Sequence, residues 1–107
     1  MIKKYLLIIT CALGLALPAI HAQAEVDKHA RNLAGSCAAC HGTNGHSKSG
    51  MPTLAGLDRT YFVTALKEFK SGARPATVMQ HHAKGYTDAE FELLADFFAS
   101  QKVGKKH

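Results

Sequence analysis

The sequence has 107 residues, three cysteines, seven histidines, no tryptophan and a formal net charge of +5. That length admits one domain and excludes a TIM barrel, a full Rossmann domain or a two-domain enzyme. With 20% charged and 47% hydrophobic residues it does not read as a disordered chain.

The first segment reads as an address. Lys3 and Lys4 precede an almost wholly apolar run from Tyr5 to Ala16, and Ala22-Gln23-Ala24 fits the small-x-small rule of signal peptidase. Residues 1–24 are expected to be a cleaved signal peptide, with the cut after Ala24 or, as the alternative, after Ala22. The apolar run is short for a transmembrane anchor and Pro18 lies near its end. Cys11 does not make a lipoprotein site, because Thr10 before it fits poorly and the apolar run would be cut in half. Residues 25–107 remain as the single domain, with a short basic tail from Lys102 to His107. Loss of Lys3 and Lys4 lowers the formal charge from +5 to +3. There is no basic stripe with interleaved aromatics, so nucleic acid is not an expected partner. No stable membrane insertion is expected after cleavage.

The mature part carries helical periodicity only. Val26, Ala30, Leu33, Ala34 and Cys37 fall on one face of a first helix, with Asp27 near its start. Gly42 to Pro52 is rich in Gly, Ser, Asn and Thr and reads as loop. Asp58 caps a second helix, Tyr61, Phe62, Ala65, Leu66 and Phe69 form its apolar face, and Gly72 ends it. Residues 73–86 are irregular, with a short helical turn near Met79. Thr87-Asp88-Ala89-Glu90 is a capping box, followed by Phe91, Leu94, Ala95 and Phe98 on one face of a third main helix. The expected class is all-α. Three short helices bury a thin core, and loops this long usually wrap something, so the pattern describes a shell that lacks its centre.

Cys37-Ala38-Ala39-Cys40-His41 has the C-x-x-C-H spacing of a c-type haem attachment site. On a helical turn the two thiols lie close, each adding to one haem vinyl group, and His41 is held against the iron as an axial ligand. Three other readings compete. A thioredoxin-like redox pair expects a βαβ context, half a zinc site needs two further ligands at matched spacing, and a plain disulfide makes His41 incidental. The motif, the export signal and the hollow helical shell agree on one covalent haem c.

The sixth ligand has to come from later in the chain. Met79, Met51, His81, His82, His46 and Lys84 are the candidates. Met79 is favoured: its sulfur suits ferrous iron and raises the potential, and its neighbours Gln80, His81 and His82 are too polar for a pure core position. Met51 is the main rival, but Pro52 beside it is better placed to offer its carbonyl to the His41 imidazole, which puts Met51 on the wrong face. His81 and His82 are the remaining alternatives.

These stretches resemble class I bacterial c-type cytochromes of the small c-553 and c4-like kind, most strongly the cytochrome subunits of flavocytochrome c sulfide dehydrogenases. The likeness is carried by Cys37-Ala-Ala-Cys-His-Gly-Thr-Asn-Gly, Gly50-Met-Pro-Thr-Leu-Ala-Gly, Tyr61-Phe-Val, the run from Phe69 to Met79, and His82-Ala-Lys-Gly-Tyr-Thr-Asp. It implies a class I cytochrome c fold, three main helices and long loops wrapped around one haem. It implies thioethers at Cys37 and Cys40, His41 as proximal ligand and Met79 as its partner. It also implies that Pro52 orients His41 and that Tyr61 lies near the haem propionates. Arg59 is close by but out of register with the family's propionate arginine. The family crosses its first and last helices through a small residue and an aromatic, here Ala30 and Phe97.

A haem with both axial sites filled has no open position for substrate. The expected function is one-electron transfer in the periplasm, from a flavoprotein donor such as a sulfide dehydrogenase, or another redox protein, to a further acceptor. The chain is then no enzyme by itself, and docks through short residues near Cys37, Ala38, Ala39 and Met51. The alternative is a haem protein with an open or displaceable sixth site that binds a small gas or peroxide.

Overall fold

The computed structural model describes residues 17–103, with side chains described from Lys28 onward. The charged start and apolar run of the expected signal peptide, Cys11, the Val26 side chain and the end of the basic tail lie outside the described residues. Four α-helices follow in order: α1, Leu17–His41; α2, Arg59–Ser71; α3, Met79–Lys84; and α4, Asp88–Ala99, with a 3-10 turn at Thr43–Gly45 after α1. Among the described residues there is no strand, as the sequence led us to expect. None of the described helices is long and apolar enough to cross a membrane.

Local chemistry sets most of the helix ends. The Asp58 carboxylate accepts from the Tyr61 amide at 2.8 Å, and Gly72 closes α2 in the left-handed region at φ 84°. The Thr87 hydroxyl accepts from the Glu90 amide at 3.1 Å, which supplies the N-cap of α4. α1 extends beyond the periodic face ending at Cys37 and runs through Ala38 and Ala39 to His41, because alanine is the best helix former. It also begins upstream of the expected cleavage positions, at Leu17. The helical turn expected near Met79 is α3, and Met79 is its first residue.

α4 packs against both α1 and α2, and α3 packs against α2. Phe91, Leu94 and Phe98 are at most 1% exposed and form the centre. Phe62 of α2 meets Phe98 with ring centroids 5.6 Å apart. Small residues let α1 approach: Ala30 and Ala34 are buried, and Phe97 packs half-buried against the same cluster. Arg59 joins α2 to α4 through Glu92 and Asp96, each at 2.5 Å.

The apolar face read for α2 divides in two. Phe62 and Leu66 are buried in the core, together with Val63, which the periodic face does not include. Tyr61, Ala65 and Phe69 instead line a cavity, which Phe62 and Leu66 also border from the core side. The helices therefore enclose a protein core on one side and an apolar space on the other.

Candidate functional site

The cavity has a volume of about 270 Å³. The end of α1 contributes Ser36, Cys37, Cys40 and His41 to its wall, the following loop contributes Met51, Pro52, Leu54 and Leu57, and the α3 region contributes Val78, Met79, His82, Ala83 and Tyr86. The residues favoured in the sequence for cofactor and iron binding, Cys37, Cys40, His41, Pro52, Tyr61 and Met79, lie on this one cavity, whereas the candidate ligands His46, His81 and Lys84 are not on its wall. Met51 and His82 share it as well.

The chain turns back on itself immediately after His41. Gly42 adopts φ 85°, and a Cβ there would lie 2.1 Å from the His46 carbonyl oxygen, so the position demands glycine. The 3-10 turn then presents the Gly45 carbonyl, which accepts from the Leu54 and Ala55 amides at 2.9 and 3.2 Å. This hook brings Pro52 over the end of α1. The His41 Nδ1–H donates to the Pro52 carbonyl at 2.6 Å, and the His41 side chain is buried. With Nδ1 occupied as a donor, Nε2 is the nitrogen whose lone pair is free for a metal.

The two cysteines are not joined to each other; Cys37 is half-buried and Cys40 exposed. Burial pushes the Cys37 thiol above its ordinary value, with the neighbouring Ser36 hydroxyl acting in the opposite direction. A thioredoxin-type nucleophile needs the reverse, a thiol held low. Among the described residues no group of three or more His, Cys, Asp or Glu side chains is arranged to hold a metal ion, so the zinc half-site finds no second half. An apolar chamber, two thiols one turn apart and an adjoining imidazole fixed through Nδ1 fit a covalent haem.

The cation at the rim is not the one the sequence drew attention to. Arg59 faces α4 and is absent from the cavity wall. Arg74 lies on it instead. Its guanidinium forms a two-pronged pair with the Glu68 carboxylate at 2.8 and 2.7 Å, and these contacts hold its pKa above the ordinary arginine value. It also donates to the Tyr61 hydroxyl at 3.4 Å and lies 5.6 Å from the centres of the Tyr61 and Phe69 rings. Glu68, Gly72 and Arg74 were a readable signal: a left-handed turn returns the chain onto the last turn of α2, where the Arg74 amide also donates to the Glu68 carbonyl at 3.2 Å.

Comparison with known proteins agrees with this geometry. The cytochrome c family model matches residues 28–102. The chain is 51% identical, over 61% of its length, to the cytochrome subunit of sulfide dehydrogenase of Chlorobaculum tepidum, covering 59% of that protein. It is 40% identical, over 56% of its length, to the thiosulfate dehydrogenase electron acceptor of Stutzerimonas stutzeri, covering 29% of it. It is 33% identical, over 64% of its length, to cytochrome c-554(548) of Halomonas halodenitrificans, covering 87% of it. The chain thus spans less than two thirds of the length of the first two relatives. With its C-x-x-C-H motif on the cavity wall, the chain belongs to the cytochrome c family and binds covalent haem c.

Proposed function

We propose that the protein is exported by cleavage of residues 1–24, leaving one domain over 25–107, and works in the periplasm as a single-haem carrier with His41 and Met79 as axial ligands. The observation that carries this reading is the shared wall of one cavity. His41, oriented by Pro52, and the two cysteines stand at the end of α1, while Met79 opens α3, an element packed on α2. When bound, the haem supplies reversible one-electron chemistry at a potential that thioether ligation raises. The chain's own residues attach it at Cys37 and Cys40, fix the His41 tautomer through Pro52, and screen the chamber with Leu54, Leu57, Phe62, Leu66 and Leu94. Tyr61 and Arg74 form the polar rim, suited to the propionates. In the attachment turn Ala39 and Cys40 are exposed and Cys37 and Ala38 half-buried, and Met51 is half-buried as well. That small apolar margin suits a brief docking encounter with a partner.

The donor we infer is a flavoprotein dehydrogenase, a reading supported by the sulfide and thiosulfate dehydrogenase systems named for two of the relatives. Sulfide oxidation itself belongs to that partner: sulfide alone reduces the cytochrome slowly, and the flavoprotein accelerates reduction greatly. Equal rates with and without the partner would refute this.

The ligand assignment is tested by the ferric spectrum. Met79→Ala abolishes the weak methionine-to-iron band and lowers the reduction potential by on the order of 100 mV or more, whereas Met51→Ala preserves the band. The reverse pattern assigns the ligand to Met51. A low-spin spectrum kept by both variants, with a low potential, assigns it to a histidine, and His82 is the one on the cavity wall.

A further inference from the structure

Tyr86 is held at both ends. Its hydroxyl hydrogen-bonds that of Ser36, 50 residues earlier on α1. Its carbonyl accepts from Lys70 Nζ of α2 at 2.6 Å. Ser36 Oγ also donates to the Leu33 carbonyl at 3.1 Å. A serine hydroxyl carries one proton, so in the Ser36–Tyr86 contact the phenol donates. Ser36 directly precedes Cys37, and Tyr86 lies two residues beyond α3; both line the cavity beside Cys37 and Met79. The bond therefore runs along the cavity wall from the haem-attachment turn to the end of the helix that bears Met79.

α3 has little else to hold it. It is six residues long, its N-cap Val78 makes no side-chain capping bond, and Ala83 is its buried residue. A helix that short does not sustain itself. The stretch before it is largely exposed from Gly72 to Val78, with Arg74 the half-buried point. The anchorage of α3 therefore falls on its packing against α2 and on the junction that follows it.

We propose that Tyr86 is a positioning residue: its bond to Ser36 clasps α3 to the attachment turn and so keeps Met79 in the cavity. The last step rests on Met79 being the axial ligand; the clasp itself does not. One intramolecular hydrogen bond contributes about 1 kcal/mol, which is about fivefold in the population of an opened α3.

Two readouts on the haem-loaded protein test this. In Tyr86→Phe, hydrogen exchange at the His81 and His82 amides, both bonded to the Val78 carbonyl, rises about fivefold, while exchange at Leu94 and Phe98 in α4 is unmoved. Ser36→Ala gives the same change, the double variant adds nothing to either single one, and Ser36→Thr restores protection. Carbon monoxide binding to the ferrous protein, which requires the sixth ligand to leave, accelerates by the same factor. Unchanged α3 exchange in Tyr86→Phe, or single effects that multiply in the double variant, overturns the clasp. Faster α3 exchange with unmoved carbon monoxide binding leaves the clasp standing and overturns Met79 as the ligand.

Discussion

The two sides of this small fold are finished by different means. On the α1–α2–α4 side, protein closes on protein: Phe91, Leu94 and Phe98 are at most 1% exposed, Phe62 packs on Phe98, and the Gly56 amide donates to the Phe98 carbonyl at 2.8 Å. On the α3 side the apolar groups turn toward a chamber. Met79, Tyr86, Leu57 and Phe69 are only partly buried, and Val78 is 48% exposed. The first side has its packing partners in the chain, and the second waits for a rigid apolar partner the chain does not contain. Domains of this size are marginal, so the second side decides whether the first persists.

The most severe way to break the comparison is to remove the partner of the open side. Cys37→Ala with Cys40→Ala prevents covalent attachment. The variant loses most of its helical circular dichroism, on the closed side as well as the open one. A cooperative, native-like melt in that variant would show that the aromatic core suffices. Next in size is damage to the closed side with the haem retained. Phe98→Ala removes a fully buried ring that touches both Phe62 and Phe97, and is expected to cost about 3–5 kcal/mol. Thermal melts of the haem-loaded protein measure it, and a loss under about 1 kcal/mol would mean that the haem rather than Phe98 organises the core.

A smaller effect is expected where the two sides join. Gly45 sits at φ 80°, and a Cβ there would lie 2.7 Å from the Ala55 amide nitrogen and 2.8 Å from the Phe98 ring. Gly45→Ala is expected to cost about 2 kcal/mol through backbone strain and displaced neighbours. The hook that carries Pro52 to His41 starts at this residue, so the variant also disturbs the axial histidine. Chemical denaturation followed at both the haem band and the far-ultraviolet signal reports both parts. A stability loss with an unperturbed haem spectrum would show that the hook does not govern the orientation of His41.

What the sequence discloses follows the range of the forces involved. The Asp58 and Thr87 caps, the Gly72 stop and the C-x-x-C-H turn are local, and each lies where residue type and spacing put it. The division of the α2 face was not legible, because periodicity marks a side as apolar without distinguishing a core neighbour from a cavity neighbour. Arg59 drew attention by its closeness to Tyr61 in sequence. Residues two apart on a helix do not face each other, and Arg59 consequently points to Glu92 and Asp96. The Ser36–Tyr86 bond leaves no local trace at all, since it depends on how α1 lies across the end of α3. The start of α1 at Leu17, upstream of the expected cleavage positions, is likewise not legible, because the apolar run of a targeting segment carries no helix-start signal.

The finest test sets those two arginines against each other. Arg59 and Arg74 are both paired to carboxylates, and in both the pairing raises the pKa, through Asp96 foremost for Arg59 and Glu68 foremost for Arg74. They differ in the side they serve. Arg59 is 49% exposed at its side chain, with partners at 41% and 61%, so solvent screens the pair and Arg59→Gln is expected to change the melting temperature little. It should leave the reduction potential where it was. Arg74→Gln removes a positive charge from the cavity wall and leaves the Glu68 carboxylate uncompensated. Both changes favour the more positive, oxidised haem, so the potential falls. The fall is small because solvent reaches the rim and screens the charges. Titrating the two variants side by side checks the assignment: an equal shift in both would return Arg59 to the haem side of the molecule, and a rise in Arg74→Gln would remove its guanidinium from the neighbourhood of the iron.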